Sequence, residues 1–311
     1  MKIYTDIEEF KSIKNPVLTI GTFDGVHVGH QKIIEKMQEI ARNTNGETVI
    51  FTFFPHPRMV INPSNHGIQL IQSQQEKLEK LASLGIDNVI IYPFTKAFSE
   101  ISAADFVSDL LINKLNIHTI IVGYDHQFGK NREGNLNYLE EKGKEYGFEV
   151  IEIPAHEINA VNVSSTKIRQ ALMDGDIETA NHYLNGSFEI WGKVIHGNKL
   201  GRTIGFPTAN VGVDDGLKIV PGRGVYAVTL KIEGGETLFG MMNIGIRPTV
   251  NQEQKETIEV NIFDFKEDIY DKSVRICLHK RIRNEQKFSG LESLIDQLKN
   301  DEITVRSYFN L

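Results

Sequence analysis

The stretch VLTIGTFDGVHVGHQK, residues 17–32, decides the fold. Val17–Ile20 run apolar or β-branched without a break, which suits a strand buried on both faces. Glycines at 21, 25 and 29 then punctuate a turn, and beyond it Ile33, Ile34, Met37, Ile40 and Ala41 share one face of a helix expected over 29–42. A strand entering a helix through a glycine-rich turn opens a βαβ unit. In an open α/β sheet that turn lies in the ligand crevice, with helix N-terminal amides aimed at an anion. No Gly-Lys-Ser/Thr follows, so this is not a Walker loop, and the spacing is not G-x-G-x-x-G. His27 and His30 stand three apart across the helix start, so both imidazoles can donate hydrogen bonds to one phosphate whose charge changes in a transition state. The plainer alternative is a tight turn whose histidines only cap the helix.

Working outward, β-branched runs recur at 48–54, 88–94, 119–124 and 149–154. Between them a Ser73-x-x-Glu76 capping box precedes Leu78, Leu81 and Leu84; a third helix starts near Ser102 with Phe106, Leu110 and Leu111; a fourth covers 136–147. Right-handed crossovers make this a doubly wound, Rossmann-like parallel sheet. The rhythm changes after Ser164-Ser165-Thr166. A helical stretch (Ile168, Ala171, Leu172, Ile177, Ala180, Leu184) leads at Phe188 into antiparallel strands with Gly-rich turns, including a Gly234-Gly235 hairpin signal. This part reads as a small β-barrel or sandwich, closed by a helix over Leu291–Asn300 behind a Ser289-x-x-Glu292 box. The expected organisation is an α/β domain over 1–165, a helical linker over 166–185 and a β domain over 186–311.

Composition agrees with two domains. The chain has 311 residues, and 34 Lys+Arg against 41 Asp+Glu leave 34 − 41 = −7. No basic run exceeds Lys280-Arg281 with Arg283 nearby, which argues against nucleic acid as a partner. The single cysteine, Cys277, excludes an internal disulfide or a cysteine metal cluster and fits a reducing compartment. The opening residues MKIYTDIEEF are no secretory signal, and no run approaches the ~18 apolar residues of a spanning helix. A cytoplasmic protein with no membrane partner is expected, as a monomer or weak homo-oligomer.

Longer strings carry more. Gly21-x-Phe23-Asp24-Gly25-x-His27-x-Gly29-His30 resembles the signature of nucleotidyltransferases with an HxGH motif, in the form of the flavin adenylyltransferase branch. Phe54-Pro55-His56-Pro57 resembles that family's FxPHP, and Gly123-Tyr124-Asp125 leading to Phe128-Gly129 resembles its G-x-D-x-x-F-G segment. Ser164-Ser165-Thr166-x-Ile168-Arg169 resembles its SSTxIR motif, with hydroxyls and amides at a helix start and a guanidinium one turn on. The resemblance implies adenylyl transfer from ATP to FMN, giving FAD and pyrophosphate. It implies His27 and His30 at the reacting phosphates. ATP would be bound by Gly21, Phe23, Asp24, Gly25, Gly29, Ser164, Ser165, Thr166 and Arg169, and flavin by Phe54, His56, Asp125 and Phe128. Read by itself, Ser165 could be only an N-cap.

In the β half, Gly201-Arg202-Thr203-Ile204-Gly205-Phe206-Pro207-Thr208-Ala209-Asn210 places Thr208 and Asn210 two apart, so an extended backbone turns both oxygens to one side as hard metal ligands. The string resembles the riboflavin kinase signature. That resemblance implies Mg²⁺ at Thr208 and Asn210, and ATP near Gly201, Arg202, Gly205, Pro207 and Thr208. Strand alternation sets Ile258, Val260 and Ile262 against Glu259 and Asn261. Glu259 matches the family's catalytic glutamate, which would take the ribityl 5′-hydroxyl proton as that oxygen attacks the γ-phosphate. Asn261 stands where relatives often carry histidine. Arg283 and Glu285, within the segment similar to RxEQKF, would bind flavin. Both signatures, in order, resemble the bifunctional bacterial riboflavin kinase/FMN adenylyltransferase family. The rivals are an adenylyltransferase for another small phosphate ester with a non-catalytic flavin-sensing barrel, and a flavin carrier or RNA-binding regulator.

Overall fold

The computed structural model describes residues 1–11, 13–61, 68–124, 126–154, 163–197, 200–248 and 254–311, and their side chains except those of Leu200, Arg247, Pro248, Gln254 and Lys255. The chain divides into two compact units, Met1–Ser165 and Thr166–Leu311.

The first unit holds a parallel sheet of six strands, β1 (Lys2–Tyr4), β2 (Val17–Ile20), β3 (Thr48–Phe54), β4 (Asn88–Pro93), β5 (Thr119–Gly123) and β6 (Glu149–Ile153), in the order β1-β4-β3-β2-β5-β6. The chain proceeds outward from β2 through β3 to β4, then returns to the other side of β2 for β5 and β6. The switch point therefore lies at β2, whose carboxyl end runs into Gly21–His30. Because successive side chains alternate, β2 serves two cores. Leu18 and Ile20 join Val49, Phe51, Ile90 and Ile120 on one face, and Val17 joins Ile34, Met37, Ile50, Leu81 and Ile121 on the other.

The helices come where periodicity puts them: Val28–Thr44, Gln74–Ser83 behind the complete Ser73/Glu76 box, and Leu136–Tyr146. The third begins at Ala103–Asp105 under a Ser102 cap and continues as a π-helical run, Phe106–Lys114, which buries Phe106, Val107, Leu110 and Leu111. Strand β1, three residues at the sheet edge, has no counterpart in the sequence pattern; it is too short to show a period.

The helix Ser165–Asp174, which starts at the last residue of the first unit, and the helix Ile177–Leu184 precede the second unit's six strands, β7 (Phe188–Ile195), β8 (Ala209–Val213), β9 (Gly224–Ile232), β10 (Leu238–Pro248), β11 (Gln254–Ile262) and β12 (Ser273–Arg283). They close an antiparallel barrel in the order β10-β11-β8-β7-β12-β9. The β9–β10 hairpin turns at Glu233 and Gly234, both with positive φ. The closing helix is Leu291–Phe309, longer than the expected Leu291–Asn300. Residues 303–305 are β-branched and read poorly as helix, but Val305 is fully buried among Phe206, Val225, Met241 and Phe263, and that packing overrides propensity. The cap differs too. Gly290 occupies it, and Ser293 rather than Glu292 hydrogen-bonds back to its backbone.

Candidate active sites

In the first unit the signature turn is held in a strained shape, with positive φ at Phe23 (50°), Gly25 (90°) and Val26 (39°). Phe23 is buried beneath the turn, its ring 4.7 Å from that of His30. His27 caps the helix Val28–Thr44, its Nδ1 accepting the His30 backbone N–H at 3.4 Å, so the proton of neutral His27 sits on Nε2. The capping alternative therefore holds for one nitrogen of one histidine and leaves the other nitrogen its chemistry. The two imidazoles stack at 3.7 Å between centroids, tilted by 15°. Gly29 permits this, because a Cβ there would press within 3.3 Å of the His27 ring. Burial, then the charges of His27 and Lys77, holds His30 well below the usual histidine range. Its buried Nδ1 has no hydrogen-bond partner among the described residues.

Asp24 has a structural task. Its buried carboxylate accepts the backbone N–H of Ile71 (3.0 Å) and Gln72 (3.3 Å). Its carbonyl accepts the Ser165 hydroxyl at 2.9 Å. Ser165 is accordingly the first helical residue and not an N-cap. Ser164 immediately precedes that helix, and Thr166 and Arg169 lie on it, in the second unit. Phe54 ends β3 and is 44% exposed, open to a planar ligand. His56 follows, its Nδ1 accepting the Arg58 N–H at 3.2 Å. Phe128 is buried in the core, 5.1 Å from the Phe106 ring. Asp125 lies outside the described residues.

The barrel gathers its polar groups by register. Asn210 on β8 and Asn243 on β10 both stand opposite Glu259 on β11. The Thr208 hydroxyl donates to Glu259 Oε2 at 3.1 Å. Asn261 donates instead to the Pro207 carbonyl at 2.8 Å, fastening β11 to the Pro207–Asn210 segment. Two cavities meet at Thr208. One, of about 270 Å³, is walled by Ile204, Phe206, Val225, Met241, Phe288, Leu294 and Leu298, with Gly201, Asn243, Glu259, Arg283 and Glu285 also lining it. The other, of about 460 Å³, is lined by Arg202, Pro207, Ala209 and residues 265–270. Gly205 lies on the connecting turn with a positive φ of 85°. Glu285 accepts the Ile246 N–H at 3.3 Å, and Arg283 is clamped by buried Asp301.

A family model described as FAD synthetase matches residues 9–167, and one described as riboflavin kinase matches residues 184–309. Curated relatives align along the whole length. A bifunctional riboflavin kinase/FMN adenylyltransferase of Buchnera aphidicola is 38% identical over 100% of this chain and 99% of its own. The protein of that name from Escherichia coli is 40% identical over 95% of this chain and 93% of its own. The chain belongs to the bifunctional riboflavin kinase/FMN adenylyltransferase family. A solved structure described as a macrolide-efflux protein from Streptococcus pneumoniae superposes with a TM-score of 0.89 at 32% identity, covering 98% of each chain. Among the described residues no helix is long and apolar enough to cross a membrane.

Sequence reading missed two residues at these sites. Lys77 and Asp301 are charged side chains on helices, where a solvated face is the default, and both are buried. Asn243 belongs to the string Asn243-Ile244-Gly245-x-Arg247, similar to the kinase family, but only the β10–β11 register brings it opposite Glu259.

Proposed function

We propose that the chain makes FAD in two ATP-dependent steps: riboflavin + ATP → FMN + ADP in the barrel, within 186–311, and FMN + ATP → FAD + pyrophosphate in the α/β domain, within 1–165. The observation that carries the kinase half is the Thr208–Glu259 pair at the junction of two cavities. The mostly apolar cavity suits the isoalloxazine ring, beside Arg283 and Glu285, with the ribityl chain directed to Glu259. The second cavity suits ATP beside Arg202 and Pro207. Glu259 takes the 5′-hydroxyl proton while that oxygen bonds to the γ-phosphorus and the bond to the ADP oxygen breaks. Thr208 orients the carboxylate.

Thr208, Asn210 and Glu259 put three oxygen-bearing side chains on one face, a donor set that fits Mg²⁺. Such an ion would need phosphate oxygens to fill its shell, and would neutralise charge on the triphosphate. Thr208 and Asn210 would hold it.

In the α/β domain the attacking group is already an anionic phosphate, so positioning and charge stabilisation replace general base catalysis. The helix start at Val28 and the His27 and His30 imidazoles donate to the triphosphate, and the FMN phosphate displaces pyrophosphate from the α-phosphorus. Phe54, at the exposed end of β3, and His56 beyond it would take the flavin. Small molecules in a cytoplasmic setting complete the reading.

The test is chromatographic separation of flavins after incubation with riboflavin, ATP and Mg²⁺, beside a reaction started from FMN. FAD arising through FMN in the first and directly in the second is expected. FAD only from supplied FMN reduces the barrel to a binding module, and FMN as the sole product removes the adenylyltransferase half.

A further inference from the structure

Lys77, on the helix Gln74–Ser83, carries a charge that neither reaction as assigned uses. It is 6% exposed and reaches under the signature turn. Its Nζ donates to the Thr22 carbonyl at 3.3 Å and to the Thr52 hydroxyl at 3.1 Å. Thr52 Oγ1 in turn donates to the same carbonyl at 3.1 Å. Thr22 lies between Gly21 and Phe23, so the amine braces the carboxyl end of β2, from which His27 and His30 follow.

Among the described residues both hydrogen-bond partners of Lys77 are uncharged oxygens. Asp24 is the acid that acts on Lys77, and its carboxylate already accepts the Ile71 and Gln72 amides. Burial outweighs Asp24 and pushes the ammonium down to about 8. A buried cation without a counter-ion in contact is costly, and a bound anion would offset that cost. The charge of Lys77 also reaches His30. The missing anion and the crevice thus coincide.

We propose that Lys77 is a positioning residue of the adenylyl-transfer site, whose ammonium holds the Thr22 turn and supplies positive potential that a bound polyphosphate compensates. This rests on the adenylyltransferase reading of the first unit. Lys77→Met keeps the stem and removes the charge, whereas Lys77→Arg keeps the charge. Each full-length variant is assayed for FAD from FMN across an ATP titration, for FMN from riboflavin, and for the rise in melting temperature that ATP with Mg²⁺ produces.

In Lys77→Met the KM for ATP in FAD formation should rise at least tenfold and the ATP-induced thermal shift of the first unit should disappear. Riboflavin phosphorylation should hold, ligand-free stability should not fall, and Lys77→Arg should recover part of the affinity. Unchanged KM and thermal shift in Lys77→Met overturn the proposal. So does a loss of ligand-free stability with normal ATP affinity, which marks a structural lysine. If Lys77→Met does not fold, Lys77→Arg decides: native ligand-free stability with a raised KM for ATP in FAD formation supports the proposal, and lowered stability with an unaltered KM overturns it. Wild-type protein that makes no FAD refutes the adenylyltransferase reading itself, a different result from wild-type synthesis that Lys77→Met leaves intact.

Discussion

Asp301→Asn should unlock the barrel. Asp301 is 1% exposed and receives Arg283 Nε at 3.0 Å on both oxygens, Arg283 Nη2 at 2.8 Å and Gln297 Nε2 at 2.8 Å. Asparagine keeps the shape but turns one acceptor into a donor facing donors and removes the negative charge. Stranding one member of a buried pair costs about 3–5 kcal/mol. Arg283 retains 18% of its side-chain exposure and can recover some water, so the low end, about 3 kcal/mol, is expected. The assay has a built-in reporter. Trp191 is the chain's single tryptophan and lies on β7, so its fluorescence follows the second unit alone. Its environment depends on the fold, through Arg275 stacked 3.8 Å over the ring and Glu189 accepting its Nε1 at 2.6 Å. With a urea slope of about 2 kcal/mol/M, the midpoint should fall by about 1.5 M. The double variant Arg283→Met/Asp301→Leu should recover most of that loss, since a packed apolar pair replaces a buried ion pair at little cost. A midpoint shift below about 0.3 M, or strictly additive single changes in the cycle, refutes the reasoning.

Glu259→Gln should abolish FMN formation, by about 10²-fold or more, while FAD still forms from supplied FMN; loss of both activities contradicts the division of labour. His30→Ala should do the converse, with FMN accumulating, and continued FAD synthesis would show the histidine to be structural. Thr208→Val should raise the Mg²⁺ concentration needed for riboflavin phosphorylation and leave the Mg²⁺ dependence of FAD formation unmoved, as read from the two product peaks. Lys77, about 8 in the fold against 10.5 ordinarily, sets a pH trend. Between those values the unfolded chain holds the extra proton, so native stability rises with pH, by at most about 3 kcal/mol at ~1.36 kcal/mol per unit. The penalty is complete below about 8 and is lifted as pH passes 10.5. Denaturation midpoints of the first unit for wild type and Lys77→Met should therefore converge from pH 7.5 to 10.5.

Local chemistry was legible and long-range pairing was not. The strand, turn and helix around residues 17–44 follow from an unbroken apolar run, glycines and 3.6-residue periodicity, all short-range signals. The alternation that sets Glu259 apart from Val260 is also written along the chain. Phe128 shows the limit, since its string does not announce that its ring packs with the helix Leu136–Tyr146 and the π-helical run. The closing helix shows it again, carried to Phe309 by contacts that residues 301–309 do not announce.

The amino-acid sequence by itself determined the two architectures and the signature turn with its histidine pair, because each depends on residues within a few positions of one another. Only the tertiary structure decided that Thr208 meets Glu259 across 51 residues, that Lys77 lies under Thr22 from 55 residues away, and that Asp301 grips Arg283. Those contacts depend on strand order, register and helix docking, which are settled by how whole faces bury against each other and leave no periodic trace in the chain.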